Sequence, residues 1–261
     1  MSRAPNLKID LTEKFPRLAQ APIVEAVLEV RTRAEVHWEE SVVAERLKKE
    51  LPDYPLVQSK REVRHELKLD SGQPAEQTIQ DMGWTGLQLQ SADKLHIAQF
   101  HRDSFVFSRL QPYHSWDQFR SEALRLWQIH EALAQPAEIH RLGLRFINWI
   151  LLPRGSCIED YLQIIPKTPL GLDLLFAGFF HHDTLGVPGH PYAINTIRTM
   201  QPPQGSPAEG AGLILDIDVF TTTQPFEAQN ALIEQHIEEM RWLKNKVFYG
   251  SITPKALEGM R

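Results

Sequence analysis

Charged side chains alternate with apolar ones along several predicted strands, and these charges are the residues that could do chemistry. Residues two apart in a β-strand point to the same face. The candidates are two acids near the N-terminus, three arginines in the middle and two aspartates near the C-terminus: Glu25, Glu29, Arg109, Arg141, Arg145, Asp216 and Asp218. Arg109 shares its face with Phe105 and Phe107. If the charged faces converge, acids and arginines line one concave surface.

Three interpretations of such a surface remain open. The commonest arrangement is a solvated sheet face on which cross-strand ion pairs neutralise one another. Alternatively, Arg109, Arg141 and Arg145 form a polar pocket that holds a phosphate or carboxylate bidentately. The acids could instead hold a divalent ion, although Asp216-x-Asp218 alone is weak support for one. We treat the seven residues as candidate ligand-binding residues and predict no metal site.

A second candidate surface lies in the last turns of the final predicted helix, where positive charge and aromatic rings gather. Cations at the C-terminal end of a helix are stabilised by the helix dipole, which accounts for them without any partner. A basic aromatic patch for RNA or a partner protein is the alternative. The candidate partner-binding residues are Arg241, Trp242, Lys244 and Tyr249.

The usual signatures of metal and enzyme sites are weak in this sequence. His181, His182 and Asp183, with His190 nearby, resemble metal ligands, but adjacent histidines on a strand point to opposite faces, so we interpret them as a solvated loop. The single cysteine, Cys157, lacks a His or acid at a recognisable spacing, and no Gly-x-Ser-x-Gly, Walker-type or Gly-x-Gly-x-x-Gly segment occurs. The sequence predicts no cofactor and favours a binding protein over an enzyme.

Composition limits the class of protein. The chain has 261 residues, of which 42% are hydrophobic and 23% charged, as in ordinary globular proteins. A net charge of -5 gives no overall attraction for phosphates, so nucleic acid is expected only at a local basic patch. A single cysteine favours a reducing compartment. No apolar run spans a bilayer or resembles a signal peptide, so we expect a cytoplasmic protein away from membranes.

Hydrophobic periodicity predicts an α+β fold. Alternation predicts strands at 23–31, 56–69, 95–101, 104–110, 139–152, 172–180, 192–199 and 212–220, with a loop at 70–74. Helical spacing predicts helices at 38–51, 115–135 and 225–249. We expect a curved antiparallel sheet with long helices packed on one face. Internal pseudo-duplication would relate two halves, 21–135 and 136–261, behind a loosely packed N-terminal arm, 1–20.

Five segments of the chain resemble a sporadically distributed bacterial protein family of unknown function. They are Pro22–Arg31 (PIVEAVLEVR), Phe107–Tyr113 (FSRLQPY), Arg141–Asn148 (RLGLRFIN), Leu215–Phe220 (LDIDVF) and Leu243–Phe248 (LKNKVF). The resemblance covers the chain from about residue 20 to the end, and it implies no established activity, ligand or catalytic residue. Sporadic distribution is common for mobile defence and toxin–antitoxin genes, which implies a role of that kind by association.

Two functions from different classes follow. The first is a non-enzymatic binding or protein-interaction protein, an accessory or neutralising partner in a bacterial defence or toxin–antitoxin system; a homodimer is one candidate assembly. The second is a small-molecule binding protein, or a phosphate-handling enzyme, that uses the charged strand faces for an anionic ligand. Alanine at Arg145 or Asp218 would abolish ligand-induced thermal stabilisation in the second case and change only stability if the charges form structural ion pairs.

Overall fold

A ten-stranded antiparallel β-sheet with α-helices packed against it dominates the structure. This computed structural model describes residues 6–68, 76–165, 169, 171–172, 174, 178–201, 210–222 and 225–261, without the side chains of 66–68 and 76. The strands are β1 (Ile23–Ala34), β2 (Leu56–Lys68), β3 (Glu76–Gln90), β4 (His96–His101), β5 (Ser104–Leu110), β6 (Pro136–Leu152), β7 (Phe180–Gly186), β8 (Tyr192–Gln201), β9 (Ala211–Thr221) and β10 (Phe226–Glu227). The helices are α1 (Glu40–Glu50), α2 (Trp116–Ala134), α3 (Asn230–Ser251) and α4 (Pro254–Glu258), with a 3₁₀ turn at Ile158–Asp160.

The order of strands in the sheet is β2-β3-β4-β5-β1-β6-β9-β8-β7, and β10 pairs with β6. Every neighbouring pair is antiparallel. In the described part of the chain the sheet is open, with β2 and β7 at its two edges. The predicted α+β class and antiparallel sheet are therefore confirmed. Pseudo-duplication and the placement of all long helices on one face stay predictions.

The pairing register divides the strand side chains between two faces, because directly opposite residues of an antiparallel pair share a face. One face, which we call the aromatic face, is defined by the row Phe107, Leu28, Leu144 and Val219. The other, which we call the charged face, is defined by the row Ser108, Val27, Arg145 and Asp218. Alternation along each strand then assigns the remaining residues.

Part of the hydrophobic core lies between the aromatic face and α2. The Phe119 ring of α2 lies 5.4 Å from Phe107 and 5.9 Å from Phe146, centroid to centroid. The Trp127 ring, fully buried, lies 6.2 Å from Phe105. On α3 the buried side chains recur at helical spacing, so one stripe faces the core. They are Ile233, Ile237, Met240 and Leu243.

Local chemistry fixes both ends of α2. The Ser115 hydroxyl accepts a hydrogen bond from the backbone N–H of Gln118 (3.3 Å), which satisfies a donor that would otherwise have no partner. At the other end Gln135 takes a left-handed conformation (φ 44°), and Pro136 cannot continue the helix. Both boundaries are those that the sequence predicts.

The final helix and the histidine cluster differ from the sequence-based expectations. The chain before α3 forms β10, in which Phe226 lies opposite Ile139 of β6, so the helix begins at Asn230 rather than near residue 225. His181–Asp183 belongs to the edge strand β7 instead of a loop. The segment is ordered by antiparallel pairing with β8, the next strand along the chain, across residues 187–191. The predicted loop at 70–74 and much of the strand predicted at 172–180 lie outside the described residues.

The N-terminal segment packs against the domain rather than lying loosely. The Phe15 ring stacks on Tyr249 of α3 at 5.5 Å, and the backbone N–H of Gln20 donates to the carbonyl of Met260 (3.0 Å). Farther forward, the backbone N–H of Leu7 donates to the carbonyl of Pro188 (3.0 Å). These contacts connect residues 6–20 to the C-terminal part of the chain.

A buried histidine makes stability depend on pH. His130 of α2 is fully buried among aromatic rings, its Nε2–H donates to the carbonyl of His101 (2.8 Å), and its Nδ1 has no partner among the described residues. Burial lowers the pKa of this imidazole from 6.5 to about 4. The folded protein therefore binds fewer protons here than the unfolded chain between these two values.

We expect His130 to destabilise the fold as the pH falls from 7 towards 4, by about 3 kcal/mol in total. Its contribution is intact above pH 6.5, the unfolded-state pKa, and is lost as the pH falls to the folded-state value. Chemical denaturation between pH 5 and 8 measures this slope. His130→Phe should flatten it, whereas His140→Gln, at an exposed position of β6, should not; equal slopes for the wild type and His130→Phe would contradict the assignment.

Candidate functional site

Six of the seven candidate ligand-binding residues lie on the charged face: Glu25, Glu29, Arg141, Arg145, Asp216 and Asp218. The seventh, Arg109, lies opposite Ala26 and therefore on the aromatic face. The sheet itself separates it from Arg141 and Arg145. A single pocket in which these three arginines hold one anion is therefore wrong for this fold.

Arg141 is enclosed between two carboxylates on the charged face. Its Nη1 donates to Glu29, its Nη2 donates to Asp218 (2.8 Å), and its guanidinium lies over the Phe220 ring, 4.9 Å from the centroid. The side chain can reach along the strand because Gly143, two residues on, carries no side chain; a Cβ there would collide with the guanidinium. Both terminal nitrogens of the Arg141 guanidinium are therefore hydrogen-bonded within the fold.

Arg145 is likewise neutralised by an acid of β9. Its Nε donates to Oδ1 of Asp216 (2.8 Å) and its Nη2 to Oδ2, a bidentate pair. These hydrogen bonds raise the pKa of the Arg145 guanidinium. Burial raises the pKa of Asp218, against the lowering effect of Arg141 and Arg145. The charged face is therefore a network of ion pairs, as the commonest of the three interpretations expects.

Metal binding has no geometric support on the described residues. Among them no group of three or more His, Cys, Asp or Glu side chains is arranged to hold an ion. The Asp183 carboxylate accepts a hydrogen bond from Arg198, and its other oxygen lies 3.2 Å from Nε2 of His181. Both of its oxygens therefore already have partners within the chain. Cys157 is exposed and free.

Arg109 lines an open cleft of about 720 Å³ at one end of the aromatic face. Besides strands β4 and β5, four segments form its walls: the first two turns of α2, the residues between β5 and α2, the turn between β3 and β4, and the residues that precede β2. Aromatic rings of Tyr54, Tyr113 and Phe119 line it together with the imidazole of His96. The cleft therefore combines apolar walls with a few polar groups, which is the usual composition of a small-molecule site.

The guanidinium of Arg109 is buried, and few hydrogen bonds compensate for its lost hydration. The residue is 7% exposed, and its one hydrogen bond runs from Nη2 to the carbonyl of Pro112 (2.9 Å). Its Nη1 is buried and has no partner, and no carboxylate of the described residues lies within 4.0 Å of it. A buried charge normally pairs with an acid, because its desolvation costs several kcal/mol. Arg109, at the wall of a cleft, lacks such a pairing among the described residues.

His96 is the direct cross-strand neighbour of Arg109. Its ring stacks on Phe107 at 6.0 Å and meets the Tyr54 ring edge-on at 6.4 Å. Burial, followed by the nearby positive charge of Arg109, lowers the pKa of the His96 imidazole. The side chain is therefore neutral at pH 7 and able to gain a charge when an anion approaches.

The acids that line the cleft form hydrogen bonds or ion pairs with groups other than Arg109. Arg125 of α2 pairs with Glu122 (2.7 Å) and Asp53 (2.6 Å), and the Tyr54 hydroxyl donates to Glu122 (2.6 Å). Asp93, at the β3–β4 turn, accepts from the Ser91 hydroxyl and the Leu95 N–H, and the bond from Ser91 is the main reason that its pKa is lowered. None of these acids lies against the Arg109 guanidinium, which leaves the positive charge available.

Sequence reasoning missed His96, although a usable signal exists. The two-residue turn Arg102–Asp103 was recognised as the boundary between two strands. Counting outwards from it pairs Ser104 with His101 and Arg109 with His96, which is the observed register. Tyr54 and Glu122 have no comparable signal, because they reach the cleft from a loop and a helix.

Two of the four candidate partner-binding residues of α3 contact the N-terminal segment. Trp242 is buried and its Nε1 donates to Glu13 (2.9 Å), while the Tyr249 hydroxyl donates to the carbonyl of Pro16 (2.5 Å). Arg241 lies over the Trp116 ring, 5.1 Å from its centroid, and Lys244 over the Phe146 ring. These four residues make contacts within the chain, and a partner that binds Trp242 would have to displace residues 13–16.

Comparisons with known proteins give no relatives. No protein-family model matches this chain, and neither a curated protein nor a solved structure matches it. The resemblance to a sporadic bacterial family stays a prediction. Within the described residues, no helix combines the length and the apolar character needed to cross a membrane.

The charged face gives a prediction about stability. Arg141→Met leaves Glu29 and Asp218 largely buried without their shared cation, and we expect it to lower the free energy of unfolding by about 1–3 kcal/mol. Arg31→Met is the matched control, since Arg31 also pairs with Glu29 but is 60% exposed; it should cost less than about 0.5 kcal/mol. Urea denaturation measures both. Equal losses would show that burial of the pair does not matter.

Proposed function

We propose that this protein binds a small anionic ligand, a carboxylate or phosphate compound, in the cleft lined by Arg109. The observation that carries the proposal is the buried guanidinium whose Nη1 has no hydrogen-bond partner and which has no carboxylate of the described residues within 4.0 Å. An anion placed there would neutralise the charge and accept the remaining N–H groups, with the directional two-bond geometry that arginine offers. The ligand would thus supply the compensation that the folded chain lacks.

Two neighbouring features strengthen the positive potential of the cleft. Ser115, the N-cap residue of α2, lines it, so the positive end of a 19-residue helix dipole lies at its wall. His96 can add a second charge beside Arg109. The rings of Tyr54 and Phe119 favour a ligand with a flat or apolar body attached to its anionic group.

Replacing Arg109 should separate binding from stability. For the wild type we expect 10–50 mM inorganic phosphate or sulfate to raise the melting temperature by a few degrees, through preferential binding to the folded state. Arg109→Met should lose this rise while its melting temperature without added anion stays equal to or above that of the wild type, because the variant no longer buries an uncompensated charge. Differential scanning fluorimetry and calorimetric titration measure the two quantities.

Arg145→Met is the matched control for this experiment. It removes an arginine of the opposite face that is paired with Asp216, so it should lower stability and keep the full response to phosphate. An unchanged phosphate response in Arg109→Met, or a loss of response in Arg145→Met, would rule out the cleft as the binding site.

The pH dependence of anion binding reports on His96. Its neighbours with charge are Arg109 on β5, Asp93 in the β3–β4 turn, Glu122 on α2 and Asp53 before β2. Since its pKa is lowered in the free protein and an adjacent anion favours the protonated form, sulfate affinity should rise as the pH falls from 8 to 5.5. Sulfate keeps a constant charge over this range. His96→Asn should bind sulfate with the same affinity at both pH values; a persistent pH dependence would exclude His96.

A protein-interaction function remains a second proposal. It is supported by apolar side chains exposed on the β2–β3 hairpin, of which Val63 is 55% and Ile79 66% exposed. Cross-linking and light scattering with the double variant Val63→Asp/Ile79→Asp test it: loss of an association seen in the wild type would favour the hairpin as interface. An accessory role in a defence or toxin–antitoxin system, and a cytoplasmic location, depend on the sequence alone.

We also propose that the two halves of the chain are related by duplication, with the long helices on one face. The strand order supports this, since β1 and β6 are adjacent and each is followed outward by the last long strand of its own half, β5 or β9. A long helix follows that strand in each half, α2 or α3. Contacts of Phe119 and Lys244 with the same Phe146 ring support a shared face for α2 and α3.

A further inference from the structure

An amine without an acidic partner lies on α3, at a distance from the charge networks described above. Nζ of Lys244 is 4.1 Å from the centroid of the Phe146 ring. Among the described residues no carboxylate lies within 4.0 Å of this nitrogen, and no hydrogen bond engages it. The residue as a whole is partly exposed.

Two other lysines near the C-terminus show the ordinary arrangement. Nζ of Lys246, whose side chain is 48% exposed, lies 2.9 Å from Glu13. Nζ of Lys255, whose side chain is 68% exposed, lies 2.7 Å from Asp160. A paired ammonium keeps its proton and is a poor nucleophile. Lys246 also lies over an aromatic ring, that of Trp242, at 5.5 Å from the centroid. Lys244 differs from both lysines in having no carboxylate of the described residues within 4.0 Å.

The surroundings of Lys244 favour its neutral form. Burial, and then the positive charge of Arg241, lower the pKa of its ammonium to about 7. A substantial fraction of the side chain is therefore free amine at neutral pH, the form that attacks carbonyl carbon. A cation–π contact with Phe146 only partly replaces the lost hydration.

Arg241 supplies a positive group on the same side of the helix. It is three residues before Lys244, a spacing that places both side chains on one helix face. Its only ion-pair partner among the described residues is Glu238, at 3.4 Å, and Glu238 also accepts from Trp116 (2.9 Å) and lies 3.2 Å from Arg120. The guanidinium, 41% exposed, therefore retains donors for a second anion.

We propose that Lys244 and Arg241 form a site for a small oxo acid, in which Lys244 forms an imine with the carbonyl carbon and Arg241 binds the carboxylate. The lone pair of Nζ forms the new C–N bond while the carbonyl π electrons move to oxygen. Both protons of the amine end on that oxygen, which leaves as water. One amine and one carbonyl compound give one imine and one water, so the step needs neither an oxidant nor a reductant.

Reductive trapping tests the reactivity of Lys244 directly. The full-length protein is incubated at pH 7 with pyruvate and sodium cyanoborohydride, which donates hydride to an imine and makes the adduct permanent. Tandem mass spectrometry then gives the labelling rate of each lysine. We expect Lys244 to react about tenfold faster than Lys246 and Lys255, although it is less exposed than either. Equal or faster labelling of either of these would overturn the proposal.

Variants test the two roles separately. Lys244→Met should abolish the fast-labelled position, and Lys246→Met should keep it. Arg241→Met should slow the reaction with pyruvate and not with acetone, which has a carbonyl group and no carboxylate; an equal change for both would overturn the role of Arg241 in binding an acid. The site-resolved rates of the wild type decide the matter even if a variant folds poorly.

This site and the Arg109 cleft use different charged residues, although the Phe146 ring contacts both Lys244 and Tyr113. Arg109→Met should leave the labelling of Lys244 unchanged, and Lys244→Met should leave the response to phosphate unchanged. Failure of one proposal is therefore distinguishable from failure of the other.

Discussion

The antiparallel pairing of β1 with β6 is the constraint on which the rest of the structure depends. These two strands lie in the middle of the sheet, and their register extends from Ile23 opposite Asn148 to Ala34 opposite Pro136. Because side chains alternate between faces, this one register decides which charges of the central strands can meet. It brings Glu29 to Arg141, and it places Leu28 and Leu144 together on the face that the core covers.

The two faces of the sheet differ in how the charge of an arginine is compensated. On the charged face Arg141 and Arg145 each bind acids of neighbouring strands, so their charge is compensated within the fold. On the aromatic face Arg109 is surrounded by rings and a single carbonyl. Compensated pairs of this kind are weak indications of function, whereas an uncompensated buried charge beside a cleft needs an explanation. Of the seven candidate residues, the proposed cleft site therefore contains Arg109 alone.

Aromatic rings surround both proposed sites. Phe146 contacts Tyr113 at the cleft and also Lys244 on α3, at 5.7 and 4.1 Å from its centroid. A desolvating aromatic layer weakens the hydration of a nearby cation, which is why the environment of Lys244 favours the neutral amine. Aromatic rings also line the cleft beside Arg109, and there the proposed outcome is the binding of an anion. Aromatic surroundings therefore have different consequences for the lysine and for the arginine.

The sequence by itself determined the elements whose causes are local: the Ser115 cap and Pro136 boundary of α2, the strand alternation of β1, and the turn that sets the register of His96 with Arg109. It also determined that acids and arginines would share a strand face, since alternation requires only neighbouring residues. Only the tertiary structure decided that Arg109 faces away from them, that residues before α3 pair with β6, and that Glu13 and Pro16 contact Trp242 and Tyr249 of the final helix. Those outcomes depend on contacts between segments that are distant in the chain. Local periodicity contains no information about which distant segments pack against each other.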